Sequence, residues 1–170
     1  MNCPNCGAPL HRPDGQDYLS CGHCGGIHFP EPNADGVTVL GDRSELNGPG
    51  CGDPLVSAKV TGMPVLHCER CRGLLIEMDS FVEMIHRLIA DGQAAALSPR
   101  PINAADLERA TDCPGCGRRM DTHPYGGGGG VVLDNCPRCR FNWLDHKELR
   151  RVVSAAAAAQ RGAGATGSYS

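Results

Sequence analysis

The spacing of apolar residues predicts an amphipathic helix near the middle of the chain. Residues 72–92 read RGLLIEMDSFVEMIHRLIADG, and apolar side chains recur there three or four positions apart, as on one face of a helix. Ser80 and Glu83 have the spacing of a capping box, and Gly92 is a suitable stop. The apolar face consists of Phe81, Met84, Ile85, Leu88 and Ile89.

A second, shorter apolar stripe predicts a helix near the end of the chain. Leu149, Val152 and Val153 share one helical face, and Asp145 with Glu148 again has the spacing of a capping box. The alanines of the tail extend this helix until glycines end it, and the last residues are expected to be disordered. A short helix opening at Asn103 is expected in the linker before this region.

Elsewhere, short polar stretches are interrupted by turn residues, which predicts three β-hairpins. They cover Leu10 to Ser20, Val56 to Leu66 and Met120 to Asp134, with PDGQ, TGM and five glycines at the respective turns. The glycine run Gly126 to Gly130 lacks the pattern of a phosphate-binding loop and is interpreted as a flexible hairpin tip.

Cysteine pairs flank the first and third predicted hairpins, and the second lies between the single Cys51 and the pair Cys68 and Cys71. Two residues separate the members of a pair. Within the three groups of cysteines, 14, 16 and 19 residues respectively separate the two cysteines that border the hairpin. This spacing is typical of a four-cysteine zinc site, in which two tight knuckles direct four thiolates at one ion. A single iron would accept the same ligands. The predicted ligands are Cys3, Cys6, Cys21 and Cys24; Cys51, Cys68 and Cys71; and Cys113, Cys116, Cys136 and Cys139.

The composition indicates that bound metal, rather than a large apolar core, stabilises the fold. The 170 residues include 23 glycines, 13 prolines and seven aromatic residues, so small modules stapled by metal are expected. The chain opens MNCPNC, without the features of a signal peptide, and no apolar run is long enough for a membrane span. A cytoplasmic location, no membrane association and reduced cysteines are therefore expected.

The predicted fold class is that of small metal-stabilised modules: three tandem zinc ribbons, each a β-hairpin with two zinc knuckles, two of them followed by an α-helix. The expected boundaries are ribbon 1 at 1–47, degenerate ribbon 2 with its helix at 48–92, a linker at 93–112, ribbon 3 with its helix at 113–153, and a low-complexity tail at 154–170. Two prolines and a glycine after the second knuckle of ribbon 1 deny it a helix.

At CPRCRFNWLDHKELRRV and CERCRGLLIEMDSF the chain resembles the transcription factor IIB-type zinc-ribbon family. The resemblance covers about 40 residues each of ribbons 2 and 3 and ends in ribbon 1 at CGHCGG. It implies a zinc ribbon with a trailing helix and the cysteines above as ligands, without an assigned reaction. The chain departs from the family pattern at Arg140 and Phe141, at Leu75 in place of tryptophan, and at Gly48 in place of cysteine.

Ribbon 2 lacks one ligand, because Gly48 stands where the other ribbons have Cys3 and Cys113. Four interpretations compete. The fourth ligand is His67, Asp53 or His86 on the trailing helix, or ribbon 2 binds no stable zinc. His86 is the preferred substitute if zinc binds. An open three-thiolate site would resemble a catalytic one, with Glu69, Asp53 and Glu77 as nearby carboxylates, or a thiol redox switch.

Charge separates ribbon 3 from the rest. The formal net charge of the chain is −3, and each four-thiolate zinc site changes the net charge by about −2 relative to four neutral thiols. Residues 113–153, however, hold seven basic and four acidic side chains. Arg138, Arg140 and Trp143 are therefore candidate contacts for single-stranded nucleic acid.

The favoured hypothesis is a non-catalytic structural Zn²⁺ protein with two structural sites and a third left open. It would act as an interaction or regulatory module with a protein partner, related to transcription in the sense that the resemblance implies. Nucleic-acid binding through ribbon 3 and a thiol redox or zinc-linked redox switch are the alternatives.

Overall fold

The computed structural model describes residues 1–126 and 130–165, with side chains as far as residue 162. The predicted hairpin tip falls largely on residues 127–129 and the predicted disordered end on 166–170, so both lie outside the described residues. The described elements are β1 (Leu10–His11), β2 (Leu19–Cys21), β3 (Ile27–His28), β4 (Val37–Asn47), β5 (Pro54–Val60), β6 (Met63–His67), β7 (Leu74–Glu77), α1 (Met78–Ala90), α2 (Ala104–Leu107), β8 (Asp121–Pro124), β9 (Val132–Cys136), β10 (Phe141–Leu144) and α3 (Glu148–Ala165).

Ribbon 1 forms a small antiparallel sheet of its own. Its strands lie in the order β1-β2-β3, with Leu10 opposite Cys21 and Leu19 opposite His28. No helix follows β3 before β4, in agreement with the expectation from the prolines. Ion pairs of Arg12 with Asp42 and of Lys59 with Asp17 connect ribbon 1 to the second sheet.

Ribbons 2 and 3 share one seven-stranded sheet, which the sequence did not predict. The strand order is β4-β5-β6-β7-β10-β9-β8, so the third strand of ribbon 2 pairs with the third strand of ribbon 3. The β7–β10 pairing is antiparallel and runs from Leu74–Leu144 to Glu77–Phe141. Each ribbon thereby covers an edge that the other would leave exposed.

The pairing of β7 with β10 is two-fold symmetric about one residue pair. Leu75 and Trp143 each stand four residues after the last cysteine of their ribbon, and they lie directly opposite each other. Gly73 lies beneath the indole ring of Trp143, so close that a β-carbon there would overlap the ring. A large side chain in ribbon 3 thus fits against small ones in ribbon 2.

The two long helices cover one face of the shared sheet. Helix α1 packs against β7, β10 and α3, and its predicted apolar face is largely buried. Leu74, Ile76 and Leu144 meet this face from the sheet. The residues on this side form the larger apolar core.

The opposite face of the sheet holds a second apolar cluster that contains metal-site cysteines of both ribbons. Trp143 and Leu75 lie in it together with Leu55 and Met120. The buried cysteines of this cluster are Cys68, Cys113 and Cys136. The metal sites of ribbons 2 and 3 therefore flank the symmetric Leu75–Trp143 pair.

The predicted helix ends are partly confirmed. Asp145 donates its backbone N–H to the Glu148 carboxylate at 2.7 Å, as the capping-box spacing predicts, and Asn103 accepts from the Ala105 backbone at 3.2 Å. Helix α1 ends before Gly92, whose φ is 71°. The capping box at Ser80 is wrong, because α1 begins at Met78.

A neighbouring ribbon explains the earlier start of α1. Glu77 is the N-cap residue and makes no side-chain cap, but the N–H of Met78 donates to the carbonyl of Arg140 at 2.8 Å. A donor at the helix start, without an intrahelical partner, is therefore satisfied from ribbon 3. A sequence pattern within ribbon 2 contains no information about this contact.

Two of the expected boundaries need correction. Residues 37–47 do not belong to ribbon 1, because they form β4 and pair with β5 of ribbon 2, with Val37 opposite Val60. Helix α3 continues through residues 154–165, as expected from the alanines of the tail, so the expected boundary at residue 153 falls inside this helix. Ser154, Ala155 and Ala157 are buried there. Both segments bury apolar surface on the helix-covered core or beside it, which fixes them in place.

Candidate metal centres

The four cysteines of ribbon 1 and the four of ribbon 3 form two compact clusters. In each, the Sγ atoms all lie within 4.8 Å of one another. The Sγ atoms of Cys3 and Cys24 are 3.7 Å apart, and those of Cys116 and Cys136 are also 3.7 Å apart. Tetrahedral zinc with Zn–S bonds of about 2.3 Å requires sulfur separations of about 3.8 Å. The thiols are thus already placed for the ion.

Both clusters use the same knuckle backbone. The N–H of Gly7 donates to the carbonyl of Cys3 at 2.8 Å, and the N–H of Gly117 donates to that of Cys113 at 2.8 Å. Gly7 and Gly117, each directly after the second cysteine of its pair, have φ of 75° and 66°, a conformation that favours glycine. The glycine allows the chain to turn so that both thiols of a pair point to one centre.

Backbone amides in the knuckles favour thiolates. The N–H groups of Cys24 and His23 lower the pKa of the Cys21 thiol to about 6. The N–H of Arg118 lowers the pKa of the Cys116 thiol to about 7. Thiolates are the form that binds metal, so these amides reduce the free energy needed to deprotonate the ligands.

His28 is a neighbour of the ribbon 1 cluster that sequence reasoning missed. Its Nε2 lies 3.4 Å from the Sγ of Cys3, within reach of an N–H···S hydrogen bond. Such contacts outside the ligand set orient ligands and modulate metal affinity. The residue stands four positions after Cys24, and no spacing rule identifies it.

Ribbon 2 brings three cysteines together. The Sγ atoms of Cys51, Cys68 and Cys71 all lie within 4.8 Å of one another, with Cys51 and Cys68 3.3 Å apart. The N–H of Cys71 points to the Sγ of Cys68 at 3.5 Å, as the N–H of Cys139 points to that of Cys136 at 3.4 Å in ribbon 3. Ribbon 2 therefore retains the knuckle geometry despite the missing ligand.

None of the substitutes considered for the fourth ligand reaches this cluster. Within residues 1–126 and 130–162, no further His, Cys, Asp or Glu side chain joins the three thiols. The preferred candidate, His86, is wrong: it is exposed on α1, which covers the opposite face of the sheet. His67 is buried and lies on the same face of β6 as Met63 and Val65, away from Cys68. Asp53 accepts instead from Arg70 at 3.3 Å.

The candidate nucleic-acid contacts are not presented together. Trp143 is 2% exposed and donates its Nε1–H to Asp145 at 3.0 Å, so its ring offers no face for a base, and this candidate is wrong. The guanidinium of Arg140 is paired with Asp79 of α1, which lowers the pKa of the Asp79 carboxyl. Arg138 is exposed. The structure therefore removes the stacking aromatic from the predicted set.

A partly buried polar cluster that joins ribbon 3 to the segment before it was also missed by sequence reasoning. Arg109, from the expected linker, lies 2.9 Å from the Asp134 carboxylate, 2.6 Å from that of Asp145 and 3.6 Å from that of Glu148. Asp134 is fully buried and also accepts from the hydroxyl groups of Thr111 and Thr122. One arginine thus ties the segment before ribbon 3 to its sheet and helix.

Burial perturbs the titration of this cluster. Desolvation raises the pKa of Glu148 to about 7, although the Asp145 N–H and Arg109 both act to lower it. The pattern of charged residues along the sequence does not identify the cluster, because its members are separated by up to 39 positions.

The donor sets fit zinc. Four thiolates at tetrahedral separations bind Zn²⁺ in ribbons 1 and 3, and all four positions of each ion are supplied by the protein. The three thiols of ribbon 2 are a zinc-binding set with one position fewer. The ion contributes folding free energy, on the order of 10 kcal/mol per structural site, to modules whose cores are small.

Residues 112–155 match the family described as transcription factor zinc-finger. This segment is a transcription factor IIB-type zinc ribbon, in agreement with the resemblance noted in the sequence, and the cysteine clusters of the structure fit zinc ribbons. No solved structure matches the chain.

A curated relative covers part of the chain. N-acetylgalactosamine-6-phosphate deacetylase of Escherichia coli O157:H7 is 33% identical to it over 88 residues, which are 52% of this chain and 22% of that protein. The match therefore spans about a fifth of the relative's length. Among the residues described here, no helix is long and apolar enough to cross a membrane.

Proposed function

We propose that the chain is a non-catalytic zinc-ribbon protein in which ribbons 2 and 3 form the scaffold and ribbon 1 presents a recognition strand to a partner protein. The observation that carries this proposal is that equivalent strands of the three ribbons differ in whether their outer edge is paired. β3, β7 and β10 are each the third strand of their ribbon. β7 and β10 cover each other, whereas β3 is an edge of its sheet.

The side chains on β3 differ accordingly from those on its equivalents. Ile27, on β3, and Phe29, directly after it, are 57% and 72% exposed. The residues at the same distance from the last cysteine are buried in the other two ribbons: Leu74 and Asn142 are each 6% exposed, and Ile76 and Leu144 are each 0% exposed. The ring of Phe29 contacts that of Tyr18, with centroids 5.9 Å apart, so a small aromatic surface lies beside the open edge. Exposed apolar side chains at an unpaired strand edge are typical of sites that bind an extended segment of another protein.

The internal pairing of β7 with β10 indicates the kind of occupant. It buries the third-strand edge of a ribbon by antiparallel addition of another strand that carries apolar side chains. The occupant proposed for β3 is likewise an antiparallel strand of a partner protein. Main-chain hydrogen bonds would supply affinity, and apolar contacts with Ile27 and Phe29 would supply specificity.

Two observations support a non-catalytic role. The four-thiolate sites of ribbons 1 and 3 leave no coordination position for a substrate. Among the carboxylates considered for catalysis at ribbon 2, Asp53 is paired with Arg70, and Glu69 and Glu77 are exposed. Zinc is accordingly assigned a structural role.

The test is co-purification of the tagged, zinc-loaded full chain with proteins of its own host, compared between two variants. Ile27→Lys/Phe29→Lys places charge on the proposed recognition strand. Val82→Lys is the matched control, since Val82 is equally exposed, at 59%, on α1. Bound proteins are identified by cross-linking mass spectrometry, and nuclease treatment before elution separates protein partners from nucleic acid.

The expected result is a partner cross-linked at or next to β3 that is lost in the ribbon 1 variant, retained in Val82→Lys and resistant to nuclease. Metal content should be the same in all three proteins. Cross-links that map to ribbon 3 and disappear with nuclease would instead favour the nucleic-acid alternative. An unchanged set of partners in the ribbon 1 variant would contradict the proposal.

A further inference from the structure

The backbone around Gly48 is that of a ligand-bearing knuckle. The N–H of Gly48 donates to the carbonyl of Asp53 at 2.8 Å, and the N–H of Gly52 donates to the carbonyl of Gly48 at 2.8 Å. Cys3 and Cys113 make the same two hydrogen bonds at the same length in ribbons 1 and 3. Gly48 therefore occupies the position of the missing ligand in the structure as well as in the sequence.

The backbone does not require glycine at this position. Gly48 does not have the positive φ that Gly52, at 75°, shows in the same knuckle. A β-carbon built on Gly48 would lie 3.4 Å from the Sγ of Cys51 and 3.5 Å from Leu55, which is ordinary van der Waals contact. A cysteine would thus be compatible with both the turn and the packing.

What glycine removes is one –CH₂–SH group on the buried side of the site. Cys3 and Cys113 are 2% and 1% exposed, and Gly48 is likewise buried. Cys51 and Cys71, by contrast, are partly exposed. A ligand that replaces the missing group must therefore be small enough to pass these thiols and occupy the place of a single cysteine side chain.

We propose that ribbon 2 binds zinc through Cys51, Cys68 and Cys71 and takes its fourth ligand from solution, with water exchangeable for a small thiolate of the size of hydrosulfide or methanethiol. Three protein ligands and one exchangeable position are a stable arrangement for zinc. A thiolate at the fourth position restores the donor set that ribbons 1 and 3 supply from their own chain. Exchange is a ligand substitution at zinc and involves no change of oxidation state.

Ribbon 2 can tolerate this weaker site because its fold has other support. β4 pairs along β5, β10 pairs along β7, and α1 buries its apolar face on the sheet. Ribbon 1 has none of these contacts on its own three strands. The proposed metal site of ribbon 2 is separate from the recognition strand of ribbon 1, so the two proposals fail independently.

The first measurement is zinc stoichiometry of the full chain by native mass spectrometry at saturating zinc under reducing conditions. Wild type and Gly48→Cys are both expected to bind three ions, with the third more weakly held in wild type. Cys71→Ser is expected to bind two. Two ions in wild type and three in Gly48→Cys would overturn the proposal, because three thiolates would then be insufficient.

The second measurement identifies the exchangeable position. Zinc is replaced by Co²⁺, and the sulfur-to-cobalt charge-transfer absorption is followed while sodium hydrosulfide or methanethiol is added. The contribution of ribbon 2 is expected to rise by about one third in wild type, from three to four Co–S bonds, and glutathione should be excluded by its size.

Two variants control this titration. Gly48→Cys should show four Co–S bonds at ribbon 2 from the start and no response to added thiol. Gly50→Ala, in the same knuckle but with no atom near its β-carbon, should respond as wild type does. A wild-type spectrum insensitive to both small thiols would overturn the proposal, since the fourth position would then be closed or filled by the chain.

Discussion

Ribbons 2 and 3 have the same backbone plan but opposite choices of side chain at three equivalent positions. Ribbon 2 has Gly48, Gly73 and Leu75 where ribbon 3 has Cys113, Phe141 and Trp143. Two of these differences are complementary, because the indole of Trp143 lies over Gly73 and opposite Leu75. The small residues of one ribbon make room for the large residue of the other.

This comparison explains why the tryptophan of the family pattern is absent from ribbon 2. Equivalent residues meet at the two-fold axis, and Leu75 and Trp143 are both almost fully buried there. Two indole rings at this point would overpack the interface. The third difference, Gly48, has no counterpart in packing and concerns only the metal. We therefore expect apolar packing to contribute more to the stability of ribbon 2, and the bound zinc ion to contribute more to the stability of ribbon 3.

The largest expected effect comes from removing a ligand of ribbon 3. Cys139→Ser should withdraw a zinc contribution on the order of 10 kcal/mol and unfold ribbon 3 together with its pairing to β7. Hydrogen exchange followed by mass spectrometry should show lost protection in β8–β10 and β7, with ribbon 1 unchanged.

Cys71→Ser is the matched control in ribbon 2. It should leave most strands of the shared sheet protected, because β4, β10 and α1 also hold ribbon 2. Equal loss of protection in the two variants would mean that the ribbons depend on metal to the same degree.

Removal of the Arg109 guanidinium should be the next largest effect. Arg109→Leu leaves the fully buried Asp134 and its carboxylate neighbours without their cation, which we expect to destabilise the protein by on the order of 3 kcal/mol. Urea unfolding at saturating zinc measures the change. Arg119→Leu, which breaks an exposed pair with Asp112, should cost less than about 1 kcal/mol, and a similar cost for both would refute the role of Arg109.

The fit of Trp143 over Gly73 can be tested by a double-mutant cycle. Gly73→Ala should destabilise the protein by about 1–3 kcal/mol, since the added methyl group overlaps the indole ring. Trp143→Leu removes the ring, and in that background Gly73→Ala should have little further effect. Additive effects in urea unfolding would show that the two residues do not interact.

Glu148 should give the smallest effect, visible as a pH dependence. Its pKa is about 7 in the folded protein and about 4.5 when unfolded, so the folded state binds this proton more tightly. Its contribution to stability is therefore fully present below pH 4.5 and is lost as the pH rises to about 7.

Glu148→Gln removes this titration while keeping an oxygen that can accept from Asp145. Relative to wild type, the variant should gain stability on the order of 1 kcal/mol between pH 6 and pH 8, measured by urea unfolding at saturating zinc. Comparison at each pH cancels effects shared by both proteins, such as ligand protonation. A pH-independent difference would contradict the raised pKa.

Local patterns in the sequence identify much of the molecule. Cysteine spacing predicts all three clusters, because each knuckle is a short-range structure. The period of Phe81, Met84 and Leu88 predicts the buried face of α1. The shared sheet was not predicted, because its β7–β10 pairing joins residues more than 60 positions apart.

One local signal of the shared sheet was nevertheless present. Leu74, Leu75 and Ile76 are consecutive apolar residues, and all three are buried. A strand with one solvated face would alternate, so an uninterrupted run indicates a strand covered on both faces. The fourth ligand of ribbon 2 could not be predicted in the same way, since a glycine does not specify what replaces its missing side chain.

The most direct test of the central claim, that ribbons 2 and 3 form one sheet, is NMR spectroscopy of the zinc-loaded full chain. The account predicts cross-strand nuclear Overhauser effects between backbone protons of β7 and β10, centred on Leu75 and Trp143, at protein concentrations where the chain is monomeric. Absence of these contacts, with the two ribbons tumbling independently, would contradict it.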